Sequence, residues 1–114
     1  MREADRLPDA AGAWVEEKKI RKYLLDLDHP EGRPKAEYFI RRGFTLDAWE
    51  LMREALVQQG VTNPVVKMTD NKYGRRYTVE CSCVTPDLTN PCIRSVWEVD
   101  QQGKRPRLIT AHVF

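Results

Sequence analysis

Apolar residues in the first half of the chain recur at helical spacing. Ile20, Tyr23, Leu24 and Leu27 fall at i, i+3, i+4 and i+7 and predict an amphipathic helix of about three turns. Pro30 ends it, and Asp28-His29-Pro30-Glu31-Gly32 reads as a tight loop, because proline fixes φ and glycine admits a positive one. Pro34 suits the first position of a second helix with Ala36, Phe39 and Ile40 inward and Gly43 as its stop. Thr45 is a good N-cap for a third, Leu46 to Gln59, with Leu46, Trp49, Met52 and Leu56 inward and Gly60 closing it.

Beyond Gly60 the period changes from helical to alternating. Strands are expected over Val65–Met68, Arg76–Val84, Ile93–Val99 and Leu108–Val113. The short connections, rich in Gly, Pro, Asn and Asp, favour antiparallel neighbours. The fold class is therefore α+β: about three N-terminal helices packed on a four-stranded antiparallel meander. Residues 1–114 read as one domain, whose start at 1–12 either frays or forms a short strand through Ala13–Val15. Trp14, Trp49 and Trp97 all fall at positions assigned to burial.

Phasing these strands sorts their residues onto two faces. Tyr77, Val79, Cys81 and Cys83 point one way, and Arg76, Thr78, Glu80 and Ser82 the other. In the third strand Ile93, Ser95, Trp97 and Val99 oppose Arg94 and Glu98, and in the fourth Ile109, Ala111 and Val113 oppose Leu108, Thr110 and His112. Neighbouring strands would then present Glu80, Arg94 and His112 on one polar face.

Those three types suffice for metal-free RNA cleavage: a base for the 2′-hydroxyl, an acid for the leaving 5′-oxygen, and cations for the phosphate. Glu80 would be the base, or else a solvated strand residue paired with an arginine. His112 would be the acid, since imidazole changes charge near neutrality, or a polar edge residue. Arg76 and Arg94 could clamp a phosphate, or pair with Glu80 or Glu98. Thr110 could donate to a phosphate oxygen. Lys35, in the first turn of the second helix, could seat a phosphate beside His29. The alternative has His29 bonded within its own turn and Lys35 solvated. Tyr73, beside Gly74, offers a stacking surface for an unpaired base.

Composition changes this picture little. A charged fraction of 32% against 41% hydrophobic is ordinary for a globular chain, and the net charge is +2. Residues 1–66 hold eleven Lys/Arg against twelve Asp/Glu, and residues 67–114 hold eight against five, so the basic excess lies with the strands. An anionic partner on the sheet side is therefore plausible. Three cysteines make a poor disulfide framework, and Cys81 and Cys83 read as small buried thiols. Cys-x-Cys lacks a second ligand pair, so no metal and no cofactor are expected. No apolar run approaches the ~20 residues that span a bilayer, and no secretory signal opens the chain. A cytoplasmic protein, or a module delivered into a target cell, is expected.

Four motifs then stand out: Tyr23-Leu24-Leu25-x-x-x-His29-Pro30-x-Gly32-x-x-Lys35-Ala36-x-x-Phe39, Tyr73-Gly74-x-Arg76-Tyr77, Arg94-Ser95-x-Trp97 and Pro106-Arg107-Leu108-x-Thr110. As a set they resemble an uncharacterised bacterial toxin-associated domain family, over roughly residues 5–114. The layout is also similar to the barnase/EndoU/colicin/RelE ribonuclease toxins. The resemblance implies a ribonuclease toxin with RNA, tRNA among the candidates, as substrate, and an antitoxin or immunity protein as partner. A non-catalytic interaction module of a toxin–antitoxin-like pair is the alternative.

Overall fold

The computed structural model describes residues 6–103 and 105–113. Its alternating half folds as β1 (Val65–Asn71), β2 (Gly74–Ser82), β3 (Cys92–Asp100) and β4 (Arg107–Val113), an antiparallel sheet in chain order. Its helical half holds α1, a turn at Glu17–Lys19 that runs on as the π-helix Ile20–Leu24, then α2 (Arg33–Arg41) and α3 (Trp49–Thr62). The architecture is α+β, with α3 laid across β2 and β3. Trp14 adds a single parallel bridge to Arg107, so the first strand expected at Ala13–Val15 survives as one rung on the free edge of β4.

The core lies between the helices and one face of the sheet. Ile20, Leu24, Phe39, Met52 and Leu56 meet Val79, Ile93, Trp97, Leu108 and Ala111, all fully buried. Trp14 and Trp49 are only partly buried, unlike Trp97. Gly60 does not close α3 but sits inside it against the Trp97 indole. A Cβ there would come within 2.6 Å of that ring, so the glycine serves close approach. Beside it Gln59, also buried, donates to the carbonyls of Val79, Cys81 and Ile93 at 3.2–3.3 Å. Its carbonyl accepts from Ser95 Oγ, which in turn accepts from Trp97 Nε1 at 2.8 Å. These bonds satisfy polar groups that burial would otherwise leave costly.

Several expectations are corrected. The first helix ends early: the wide turn closed by Leu25 N donating to Ile20 O at 2.8 Å unwinds before Leu27, which is 46% exposed. Ile40 and Leu46 are also exposed, and α3 starts at Trp49, because Thr45 Oγ1 instead accepts from Ala48 N one turn earlier. In β4 a bulge opposite Trp97 resets the alternation: Leu108 faces the core with Ala111, and the expected partition of Leu108 with Thr110 and His112 fails. Cys81 takes φ 116°, which breaks the alternation of β2. Its side chain turns out of the core and joins Cys92 on β3 in a disulfide, so only Cys83 is the buried thiol expected.

Candidate functional site

On the sheet face away from α3, the register sets Glu80 opposite Arg94 and Arg94 opposite His112. The neighbouring rung is Thr78, Val96 and Thr110. Glu80, Arg94, His112 and Thr110 thus share one patch two rungs deep. Arg94 Nε donates to Glu80 Oε2 at 2.7 Å, a short charge-assisted bond across β2 and β3. Thr110 and His112, two residues apart on one face, are about 7 Å apart along β4, within the reach of a single phosphodiester and its sugars.

α1 and α2 bring the rest of the patch to the edge of β4. Lys35 is not solvated: its Nζ donates to Tyr23 Oη at 2.7 Å and to Thr110 Oγ1 at 2.9 Å. The two hydroxyls are 3.1 Å apart and close a triangle. Lys35 Nζ also lies 5.0 Å from the Tyr23 ring centre. The π turn positions the tyrosine, and such turns cluster at functional sites. Gly32 permits the approach of α2: a Cβ there would fall 2.5 Å from the Tyr23 carbonyl and 2.8 Å from its ring.

His29 acts inside its own turn, accepting at Nδ1 from Gly32 N at 2.8 Å and Glu31 N at 3.1 Å. An accepting Nδ1 in a neutral ring leaves the proton on Nε2. The ring meets Tyr23 edge-on at 5.0 Å, so the loop buttresses the tyrosine. The spacing His29-Pro30-x-Gly32-x-x-Lys35 therefore has one physical purpose: turn, close approach and cation around one phenol.

Two of the expected residues lie elsewhere. Arg76 is four residues from Glu80, about 13 Å along β2. It pairs at 3.0 Å with Glu98, which Arg107 reaches at 3.5 Å in a separate ionic cluster. Tyr73 stands at the β1–β2 turn, roughly 20 Å from Glu80, 61% exposed with Lys72 over its ring. Conversely, sequence periodicity assigned Tyr23 to the core stripe and overlooked its hydroxyl. The hint was a polar-tipped residue at the border of an apolar helix face.

Electrostatics favour an anion here. Partial burial lowers the His112 pKa from 6.5, and the nearby charges of Lys35 and Arg94 lower it further, so the imidazole is mostly neutral at pH 7. Burial raises the Tyr23 phenol, but the Lys35 and Thr110 hydrogen bonds and the charges of Lys35 and Lys19 outweigh it, leaving it below 10.0. Among the described residues no three His, Cys, Asp or Glu side chains group as metal ligands, and no helix is long and apolar enough to cross a membrane. The patch offers an ammonium, two hydroxyls, a guanidinium and a neutral imidazole to one ligand.

No curated protein matches the chain. Among solved structures, a chain of the "Contact-dependent growth inhibition toxin - immunity protein complex from Klebsiella pneumoniae 342" is similar. It is 23% identical, the match covers 93% of this chain and 97% of that one, and the TM-score is 0.68. At that identity the likeness establishes a shared fold. The agreement over residues 6–114 is more direct: the chain belongs to the family described as Domain of unknown function (DUF6883).

Proposed function

We propose that the domain is a metal-independent ribonuclease of the toxin type. The observation that carries this reading is the Lys35–Tyr23–Thr110 triangle abutting the Glu80–Arg94–His112 rung. His112 Nε2 or Nδ1, neutral between two cations, takes the 2′-hydroxyl proton. The 2′-oxygen then attacks phosphorus. Lys35, Thr110 and Arg94 hold the charge that gathers on the phosphate oxygens. The P–O5′ bond breaks, and the 5′-oxygen takes the Tyr23 proton. The products are a 2′,3′-cyclic phosphate and a free 5′-hydroxyl. This departs from the roles expected from sequence: His112 becomes the base, Tyr23 the acid, and Glu80 orients Arg94. In a toxin setting the neutralising partner is an immunity protein, and tRNA is the candidate substrate.

The test is incubation of purified protein with total RNA in EDTA, with growth on induction followed in parallel. The expected result is cleavage to cyclic-phosphate ends and growth arrest, with both abolished by His112→Ala and cleavage reduced by at least about 10²-fold by Lys35→Met. Intact RNA and normal growth, for parent and variants alike, would remove the enzyme. A second reading, a non-catalytic interaction module, is favoured by the open edge of β1, where Val66 and Met68 are 53% and 51% exposed. It predicts a stable stoichiometric protein complex and no salt-dependent RNA binding.

A further inference from the structure

A second cationic feature adjoins the triangle. Between α1 and β4 lies a cleft of about 430 Å³, in the size range of small-ligand sites. Lys18, Lys19 and Lys22 line it, with the rings of Tyr23 and His29 and the side chain of Ile109. Ile109 is the extra, unpaired residue of the β4 bulge, and it forms the β4 side of the cleft wall. Two carboxylates, Glu16 and Glu31, complete the lining. Glu16 is drawn toward Arg107 at 3.7 Å, and the neighbouring Glu17 is held by Arg21 at 2.9 Å. Among the described residues neither Lys18 nor Lys22 forms an ion pair.

We infer that this cleft seats the single-stranded RNA flanking the scissile phosphate, with the lysines on backbone phosphates and the Tyr23 and His29 rings against a base. Tyr23 belongs to both cleft and triangle, so a strand leaving the reacting phosphate enters the cleft without a gap. The cleft sets lysines beside two aromatic rings, with Lys19 Nζ itself 5.6 Å from the Tyr23 ring centre. Cations interleaved with aromatic rings are the chemistry of unpaired nucleic acid, whose bases expose π faces that a duplex hides. The inference deepens the ribonuclease reading and rests on it for the kind of ligand.

The experiment uses the full chain carrying His112→Ala, so that bound RNA is not consumed. Binding of a fluorescent single-stranded oligoribonucleotide is followed by anisotropy across a salt series, with and without Lys18→Gln and Lys22→Gln. The expected loss is about tenfold or more in affinity, with the slope of log K against log salt reduced by roughly 1.4, about 0.7 per lost phosphate contact. A duplex of the same sequence should compete poorly. Equal affinity and slope with and without the lysines overturns the cleft assignment, as does absence of RNA binding altogether. Loss of binding to an acidic immunity-type protein, with RNA binding intact, overturns it in favour of a protein interface. Should the strand bind as expected while the parent protein cleaves nothing, the cleft stands and the ribonuclease reading alone falls. Circular dichroism of the lysine variants excludes unfolding as the cause.

Discussion

His112 differs from an ordinary surface histidine in what surrounds it: a sheet face that partly desolvates it, Lys35 on one side and Arg94 on the other. All three influences disfavour the imidazolium, so its pKa lies below 6.5 and the sign of the pH profile follows. As the base, His112 must be neutral; kcat/KM should be level near pH 7 and fall as pH drops through that lowered pKa. Were it the acid, activity would instead decline as pH rises through the same point, so one profile decides between the roles. Tyr23→Phe keeps the ring against His29 but removes the proposed proton donor, and should cost about 10²-fold in kcat. A second titrating residue works on stability. Asp87 is held at about 2, first by the Thr85 hydroxyl, then against opposing burial by Thr89 and Arg42. Its folded pKa is below 3.8, so its contribution is present above that pH and disappears as pH falls toward 2. Asp87→Asn should flatten the dependence of the urea midpoint on pH over that window; an unchanged acid limb would show that the loop contacts do not matter.

Among the elements, the β2–β3 pair carries both a covalent and a polar tie. The Cys81–Cys92 disulfide closes a loop with sequence separation 11, and opening it should cost about 2–3 kcal/mol through the freed unfolded chain. A lower denaturant midpoint in reductant checks this. Alkylation of the native protein under the same reductant should label two thiols and spare Cys83, whose burial pushes it up to about 12. The polar tie is Gln59: Gln59→Leu takes one donor from each of three carbonyls and the acceptor from the Ser95 hydroxyl, and should destabilise by about 2–4 kcal/mol, read as a shift in the same midpoint. Alternation made the four strands legible in the sequence, and with them the common face of Glu80, Arg94 and His112. It failed where single residues leave the ideal pleat. The φ of Cys81 turned an expected core thiol into a disulfide partner, and the bulge at Ile109 moved Leu108 into the core. Helical period likewise made Tyr23 a core residue, because a stripe of apolar positions does not record where a phenol ends. Contacts between distant segments, such as Tyr23 with Thr110, leave no periodic trace at all.

At the scale of the molecule, the proposed chemistry and the stability fall on opposite sides of one sheet. The face toward α3 holds the core, from Ile20 and Leu24 through Met52 and Leu56 to Trp97. The other holds the polar rungs, which Tyr23 and Lys35 reach from the helical half at the β4 edge. Such a division should make function separable from folding, and Lys35 is the residue on which to measure it. Lys35→Met keeps an unbranched stem of similar length against the Tyr23 ring and removes the ammonium alone. The two hydroxyls remain hydrogen-bonded to each other, so no buried polar group is stranded and the urea midpoint should move by less than about 1 kcal/mol. Cleavage should fall by roughly 10²- to 10³-fold, the usual cost of removing one preorganised donor from a developing oxyanion. The single-stranded RNA affinity of the same variant should fall much less, because the three lysines of the adjoining cleft are untouched. A large stability loss with proportionate loss of activity would instead mean that Lys35 holds α2 to the sheet, and that the triangle is a structural clamp.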